Sequence, residues 1–302
     1  MTTADPCFAV SGATGAVGRA VLEALAVARP ASKRVLALAS AESVDDTVGF
    51  GRHELSVLDT ATQDPAAIDI LFHAGAAGAD ALAQAVADAG KTVIDLGGRL
   101  HGDTVRHCPH PLALMIGQLL DALPAGIERL TMTAMLPVVS YGRRGVDELA
   151  QQTTALFNQR GYDTEVLPRQ VAFNLLAQVG EWADDGATEL EARVLRDLDA
   201  LHPVAAVSLT AALVPVFFGH AVSLEAQGAT AFDRGMLVTG LKAAGIDVHD
   251  DGPASAAPSP MDVLGQTRLQ VSRVRVQDNR VALWLTTDGL RLLAAHAIGQ
   301  AL

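Results

Sequence analysis

The chain has 302 residues, 50% hydrophobic and 19% charged, enough for about two domains with a large core and too apolar for intrinsic disorder. Its 22 basic and 34 acidic residues give a formal net charge of -12, which argues against a nucleic-acid partner because no basic run is present. Two cysteines, Cys7 and Cys108, are too few for a disulfide scaffold or a cysteine-rich metal site and read as free thiols of a reducing compartment. Met1 to Pro6 has no basic stretch and no apolar run, so a cytoplasmic location is expected. The first hundred residues alternate strand and helix. Cys7 to Ser11 is a strand, Gly12 to Gly18 a glycine-rich turn, and Ala16 to Ala28 a helix stopped by Pro30. Strands follow at Arg34 to Ala39, Ile68 to Ala74 and Thr92 to Leu96, with a helix from Asp80 to Ala89 ended by Gly90. This alternation predicts a parallel doubly wound sheet, whose ligands sit at the carboxyl ends of the strands.

The pattern changes after Asp103. Helices are expected at Leu112 to Leu123, Val146 to Gln159, Thr188 to Leu201 and Phe232 to Ala244, and a strand at Ile127 to Val139. Pro203 to Leu224 carries no Asp, Glu, Lys or Arg and is long enough to cross a bilayer. Pro215, Gly219, His220 and its Val content make it two buried strands instead, so no membrane partner is expected. His249 to Asp262 reads as a loose loop. Thr267 to Gln277 and Arg280 to Thr286 form a hairpin about Asp278-Asn279. The helix Gly289 to Leu302, with Leu290, Leu293, Ala294, Ala297 and Ile298 on one stripe, should return to the first domain. The expected fold is α/β: a Rossmann-like nucleotide-binding domain (residues 1–108 plus 285–302) and an α+β domain (109–284).

Gly12-Ala13-Thr14-Gly15-Ala16-Val17-Gly18 has the spacing Gly-x-x-Gly-x-x-Gly between strand and helix. Gly12 permits the tight turn, Gly15 the approach of a diphosphate, and Gly18 close packing of helix on strand. Free N–H groups at the helix start favour an anion. Gly12, Thr14, Gly15, Ala16, Val17 and Gly18 are therefore the expected cofactor-binding residues.

This turn resembles the start of an aspartate-semialdehyde dehydrogenase. Val93-Ile94-Asp95, Gly145-Val146-Asp147-Glu148-Leu149, Arg169-Gln170-Val171-Ala172-Phe173-Asn174 and Val214-Pro215-Val216-Phe217-Phe218-Gly219-His220 resemble further motifs of that family, in the same order. The last two are worded most like the Usg subgroup of paralogues. The resemblance implies the semialdehyde dehydrogenase/glyceraldehyde-3-phosphate dehydrogenase type of fold, with NAD(P) bound by the first domain and dimerisation through the second. It implies a cysteine nucleophile that forms a thioester, a histidine acid/base and phosphate attack on the thioester.

Residue by residue, the chain departs from that pattern. Pro111 stands at the nucleophile position, Leu136 at a glutamine, Leu213 at the substrate arginine and Leu190 at a glutamate. Glu191 and Arg193 keep some of that stretch's charge. His101 stands at another arginine, and Gly97 and Gly98 at a serine pair. His220 keeps the acid/base position. Cys108 as a displaced nucleophile would need a different local backbone. His101, His107, His110 and Cys108 would have to converge to hold a metal, and no metal is expected. The reading is a family member, NAD(P)-binding and homodimeric, that has lost phosphorylating dehydrogenase chemistry; the alternative is an active NAD(P)-dependent dehydrogenase or reductase on aspartate semialdehyde or another small substrate.

The family's arginine for the 2′-phosphate of NADP is replaced by Glu42, after Ser40. A carboxylate repels that phosphate, so the cofactor expectation is NAD over NADP, or none. The strands Leu130 to Val139, Val204 to Phe218 and Leu269 to Val276 are expected to leave an apolar sheet face that a second copy covers, with the nucleotide-binding domains at the outer ends of the dimer.

Overall fold

The computed structural model describes residues 5–75, 77–183, 185–249 and 257–302. The chain divides into two compact units, residues 1–109 with 293–302, and residues 110–292.

The first unit is built from β1 (Phe8–Ser11), α1 (Ala16–Ala28), β2 (Val35–Ala39), β3 (Thr47–Phe50), β4 (His53–Asp59), β5 (Ile70–His73), α2 (Asp80–Asp88), β6 (Thr92–Asp95) and β7 (Val105–His107). The strands make one sheet of order β3-β4-β2-β1-β5-β6-β7. All neighbours are parallel except the β3–β4 pair. β1 lies between β2 and β5, so chain progression reverses there and opens a crevice above the strand ends. β1 and β5 are apolar up to their last residues, Ser11 and His73, because helices cover both faces of such a sheet. Phe8, Val10, Leu71 and Phe72 are fully buried. The β3–β4 hairpin is absent from the sequence expectation. The Gly51-Arg52 turn between Phe50 and His53 was the available signal.

The second unit contains α3 (Pro111–Ala122), β8 (Ile127–Leu136), α4 (Gly142–Phe157), α5 (Glu189–Leu201), β9 (Ala206–Leu213), β10 (His220–Gly228), α6 (Arg234–Ala243), β11 (Asp247–His249), β12 (Gln270–Gln277) and β13 (Arg280–Thr287). The sheet order is β11-β12-β13-β10-β8-β9, with mixed directions. The charge-free stretch 203–224 is thus β9, a turn at Pro215 and the start of β10. No helix among the described residues is long and apolar enough to cross a membrane. α7 (Gly289–Ala301) begins in this unit, and its last part, from Leu293, belongs to the first. That changeover falls later than 285 because β13 continues to Thr287. In the stretch 249–262, residues 250–256 lie outside the described residues, and His249 ends β11.

One face of the second sheet carries Leu130, Met132, Ala134, Val222, Leu224, Leu283 and Leu285, all buried. α3, α5 and α6 supply buried Met115, Ile116, Leu119, Val194, Leu198, Leu237 and Leu241. The opposite face is not the apolar surface expected from composition. Thr131, Thr133, Ser208, Thr210, Ser223 and Glu225 are exposed there. Strand alternation explains this: the apolar residues of each strand face the helices, and small hydroxyl side chains occupy the alternate positions.

Buried carboxylates hold the loops of this unit. Glu191 takes part in a capping box with Thr188, its carboxylate 2.8 Å from the Thr188 N–H, and also accepts from the Ala211 N–H of β9 at 2.7 Å. Glu191→Ala leaves two buried donors unpaired and should destabilise the second unit by about 2–4 kcal/mol. Urea denaturation followed by tryptophan fluorescence measures this, since Trp182 and Trp284 both lie in that unit. A change below about 0.5 kcal/mol, the size of an ordinary surface substitution, would contradict it.

Candidate functional sites

The first site is a cleft of about 540 Å³ at the carboxyl ends of β1, β2, β4 and β5. Gly12, Thr14 and Gly15 line it on one side, Ala39, Ser40, Ala41, Asp59, Thr60 and Ala61 on another, and Ala74, Gly75, Gly78 and Ala79 on the third. Gly12 has φ +73°, and a Cβ there would lie 2.8 Å from the Ala74 carbonyl oxygen. A Cβ on Gly18 would collide with the Gly12 carbonyl. Gly15 caps α1, with no side chain bonded to the first-turn amides and no acidic residue in that turn. Those amides form an electropositive cradle suited to a diphosphate. Gly12, Thr14, Gly15 and Ser40 therefore meet in one cleft. Ala16, Val17 and Gly18 form the first turn of α1 behind it. Glu42 is exposed in the short turn 41–43 and is not among the lining residues. Sequence reasoning missed Asp59, Thr60 and Ala61, which the unpredicted β4 delivers.

A buried polar chain braces this cleft. The Ser11 hydroxyl is 2.8 Å from His73 Nδ1, and His73 Nε2 is 2.8 Å from Asp80. Arg99 donates to Asp80 at 2.8 Å and to the Gly75 carbonyl at 2.6 Å. Gly97 lies beside it, and a Cβ there would push the Arg99 guanidinium aside. Asp95, at the end of β6, accepts from the N–H groups of Gly97, Arg99 and Leu100. Burial raises the pKa of Asp95, but these three donors outweigh it and hold the carboxyl below its ordinary value. The Val-Ile-Asp motif is thus a loop anchor.

Cys108 is buried, with its sulfur 3.9 Å from Gln300 Oε1 within the first unit. His101 and His107 bring their rings to 6.5 Å, and His107 Nδ1 lies 3.3 Å from Asp95. No group of three or more His, Cys, Asp or Glu placed to hold a metal occurs among the described residues.

In the second unit, α3 starts at Pro111 with His110 as its cap. His110 Nδ1 accepts from the Leu112 N–H at 3.2 Å, and the His110 N–H donates to Asp197 at 2.7 Å. His220 opens β10 and is buried. Its ring lies against Gly289, where a Cβ would be 2.5 Å from Nδ1 and Cε1 and 3.2 Å from the Pro111 Cβ. His220 Nδ1 has no hydrogen-bond partner among the described residues. Burial drives the His220 pKa down to about 4, against the opposing pull of Asp288. Burial, then the proximity of His220 and Arg193, drives His110 to about 3. Both rings are neutral at pH 7. Leu136 and Leu213 are register partners on β8 and β9, and both are fully buried.

The retained motifs serve this framework. Glu148 on α4 accepts from the N–H groups of Glu165, Val166 and Leu167. Gln152 accepts from Val171 and Ala172 and donates to Glu148. The Gly-Val-Asp-Glu-Leu and Arg-Gln-Val-Ala-Phe-Asn segments are therefore joined through helix α4.

A parallel dinucleotide-type sheet followed by a mixed sheet with helices on one face defines a two-domain α/β protein of the dehydrogenase type. The semialdehyde dehydrogenase NAD-binding domain matches residues 8–136, and the semialdehyde dehydrogenase dimerisation domain matches residues 116–292. The chain belongs to the semialdehyde dehydrogenase family. It is 34% identical to a USG-1 protein homolog of Pseudomonas aeruginosa, covering 95% of this chain and 94% of that one. It is 29% identical to the aspartate-semialdehyde dehydrogenase of Rickettsia bellii, again over 95% and 94%. A solved structure described as a probable aspartate-semialdehyde dehydrogenase from Pseudomonas aeruginosa superposes with a TM-score of 0.89 at 32% identity, over 98% of each chain. Aspartate semialdehyde dehydrogenase II of Vibrio cholerae, complexed with ASA, superposes with a TM-score of 0.91 at 26% identity, over 99% of this chain and 98% of that one.

The buried histidines set a pH dependence. A His pKa lowered by folding means that the unfolded chain binds the extra proton first. Stability is therefore full above the ordinary value of 6.5 and falls as pH drops towards about 4 for His220. The loss from His220 reaches about 3 kcal/mol at pH 4. His220→Gln should reduce the slope of second-unit stability between about pH 6 and 4.5 by about 1 kcal/mol per pH unit. Tryptophan-monitored urea melts across that range test it, and an unchanged slope would refute it.

Proposed function

We propose that this protein is a homodimeric, nicotinamide-dinucleotide-binding member of its family that does not carry out cysteine-dependent, phosphorylating semialdehyde dehydrogenation. The reading rests on one contrast: the glycine cradle is intact, while the start of α3 offers Pro111 and no thiol. Proline carries no nucleophilic atom, so no thioester forms there. Paired Leu136 and Leu213 stand where the resemblance expects a glutamine and a carboxylate-binding arginine. An apolar pair supplies neither the charge nor the hydrogen bonds that hold a carboxylate substrate.

The cradle residues fit the dinucleotide. Gly12 and Gly15 let the diphosphate approach the backbone, and the first-turn amides of α1 receive its charge. A bound nicotinamide dinucleotide supplies hydride-transfer capacity. NAD is favoured over NADP because no Lys or Arg is among the described lining residues. The sheet of the second unit, matched as a dimerisation domain, is the surface assigned to the twofold contact, through its Ser/Thr-rich face.

A second reading has one observation in its favour. His220 stands at the family's acid/base position with Nδ1 unpartnered among the described residues, which suits an acid/base group of a dehydrogenase or reductase acting on a small substrate without a thiol.

Calorimetric titration with NAD+ and NADP+, with an assay of L-aspartate semialdehyde, phosphate and each nucleotide, separates the readings. We expect nucleotide binding that Gly12→Val abolishes and no phosphate-dependent turnover. Turnover lost in Cys108→Ala would restore the cysteine mechanism. Turnover that survives Cys108→Ala and is lost in His220→Gln would establish the second reading. A light-scattering mass near the monomer's 31.3 kDa would overturn the dimer.

A further inference from the structure

In a dinucleotide-binding sheet the adenosine ribose lies beyond the end of the second strand, where a carboxylate accepts from its hydroxyls. Here β2 ends in Ala39-Ser40, and neither side chain is a carboxylate. Glu42 follows but does not line the cleft. The carboxylate that does line it comes from the adjacent strand. Asp59 ends β4 directly opposite Ala39 in the parallel β2–β4 register. The Thr60 hydroxyl donates to the Ala39 carbonyl at 2.8 Å, which fixes the two strand ends together. Asp59 Oδ1 accepts from the Ala61 N–H at 2.9 Å and is thereby oriented. Its second oxygen makes no hydrogen bond among the described residues. Arg19, whose Nε donates to the Thr14 carbonyl, lines a different depression with Glu23, Gly49 and Gly51. No cation of the described lining offsets the Asp59 charge.

We propose that Asp59 is the specificity-determining residue of this cleft: its free carboxylate oxygen accepts from the adenosine ribose hydroxyls of NAD and repels the 2′-phosphate of NADP. The assignment rests on the dinucleotide-binding reading and moves the discriminating charge from Glu42 to Asp59. A carboxylate accepting from a hydroxyl makes a charge-assisted bond, and a 2′-phosphate in the same place sets two anions against each other.

The test is calorimetric titration of the full chain with NAD+ and NADP+ at one ionic strength, in wild type, Asp59→Asn and Glu42→Gln. Asparagine keeps an oxygen for the Ala61 N–H, so the strand end stays capped. Wild type should bind NAD+ at least about tenfold more tightly than NADP+. Asp59→Asn should weaken NAD+ about tenfold or more and leave NADP+ unchanged or tighter, so that the preference collapses. Glu42→Gln should leave both affinities within about twofold. Equal weakening of both nucleotides by Asp59→Asn would make Asp59 a structural cap only and overturn the proposal. So would an unchanged ratio, or a preference that Glu42→Gln removes. If wild type binds neither nucleotide, the dinucleotide-binding reading itself fails, which is distinct from every result in which binding occurs and the ratio ignores Asp59. Melting temperatures of the variants within about 3 °C of wild type confirm that the fold is retained.

Discussion

The first unit depends on backbone passing against backbone with no side chain between. Gly12 turns at φ +73° directly over the Ala74 carbonyl, and Gly18 sits on the Gly12 carbonyl. A methyl group at either place forces the strands or the helix apart. The same contact brings the amides of α1 to the cleft and keeps β1 and β5 close enough to close its floor. The Ser11–His73–Asp80–Arg99 chain then holds the β5 loop in place, with Arg99 also bound to the Gly75 carbonyl. Packing creates the cradle and polar bonding prevents it from opening. Each would be ineffective alone, because an unbraced loop after β5 would not keep Ala74 over Gly12.

A second constraint runs through both units. Buried carboxylates spend their oxygens on backbone N–H groups rather than on cations. Asp95 and Glu148 each accept from three residues, Glu191 from two, and Asp288 from Gly265, Leu290 and Arg291. Several of these groups sit in the segments that carry the family resemblance. Such residues persist for a structural reason, since removal orphans several donors at once. Segments kept by this requirement say little about whether chemistry is kept.

The sequence was legible where local pattern and side-chain chemistry coincide. The glycine turn, α1, β1, β2, the two strands about Pro215 and the Asp278-Asn279 hairpin follow from turn residues and apolar runs. β3 and β4 were not legible, because HELSVLD is mostly exposed and its register is set by β2, not by its own pattern. That omission concealed Asp59, Thr60 and Ala61, and so concealed much of the cleft wall. Glu42 stood out in sequence because it follows β2, but a residue's place in the chain does not fix which way a short turn points. The apolar face expected of the second sheet shows the same limit. Counting apolar strands does not reveal that Thr131, Thr133, Ser208 and Thr210 occupy the alternate positions.

The second unit shows how apolar side chains and a buried histidine can be packed together at the ends of β8, β9 and β10. Leu136 and Leu213 stand side by side, so their apolar character is mutually supporting: either one alone would leave a polar partner buried against hydrocarbon. Pro111 at the first position of α3 is likewise favourable, since that position needs no N–H and proline presets its φ. The His220 ring fits beside Gly289, where a side chain would collide with both the imidazole and Pro111. Its lowered pKa follows from that enclosure. A catalytic histidine must exchange a proton near neutral pH. His220, held neutral at pH 7 by burial, takes up a proton only as the unit loses stability in acid, unless a bound substrate changes its surroundings. Pro111, Leu136 and Leu213 are thus each compatible with the packing of the second unit on physical grounds, and the first unit has its own constraint in the glycine cradle.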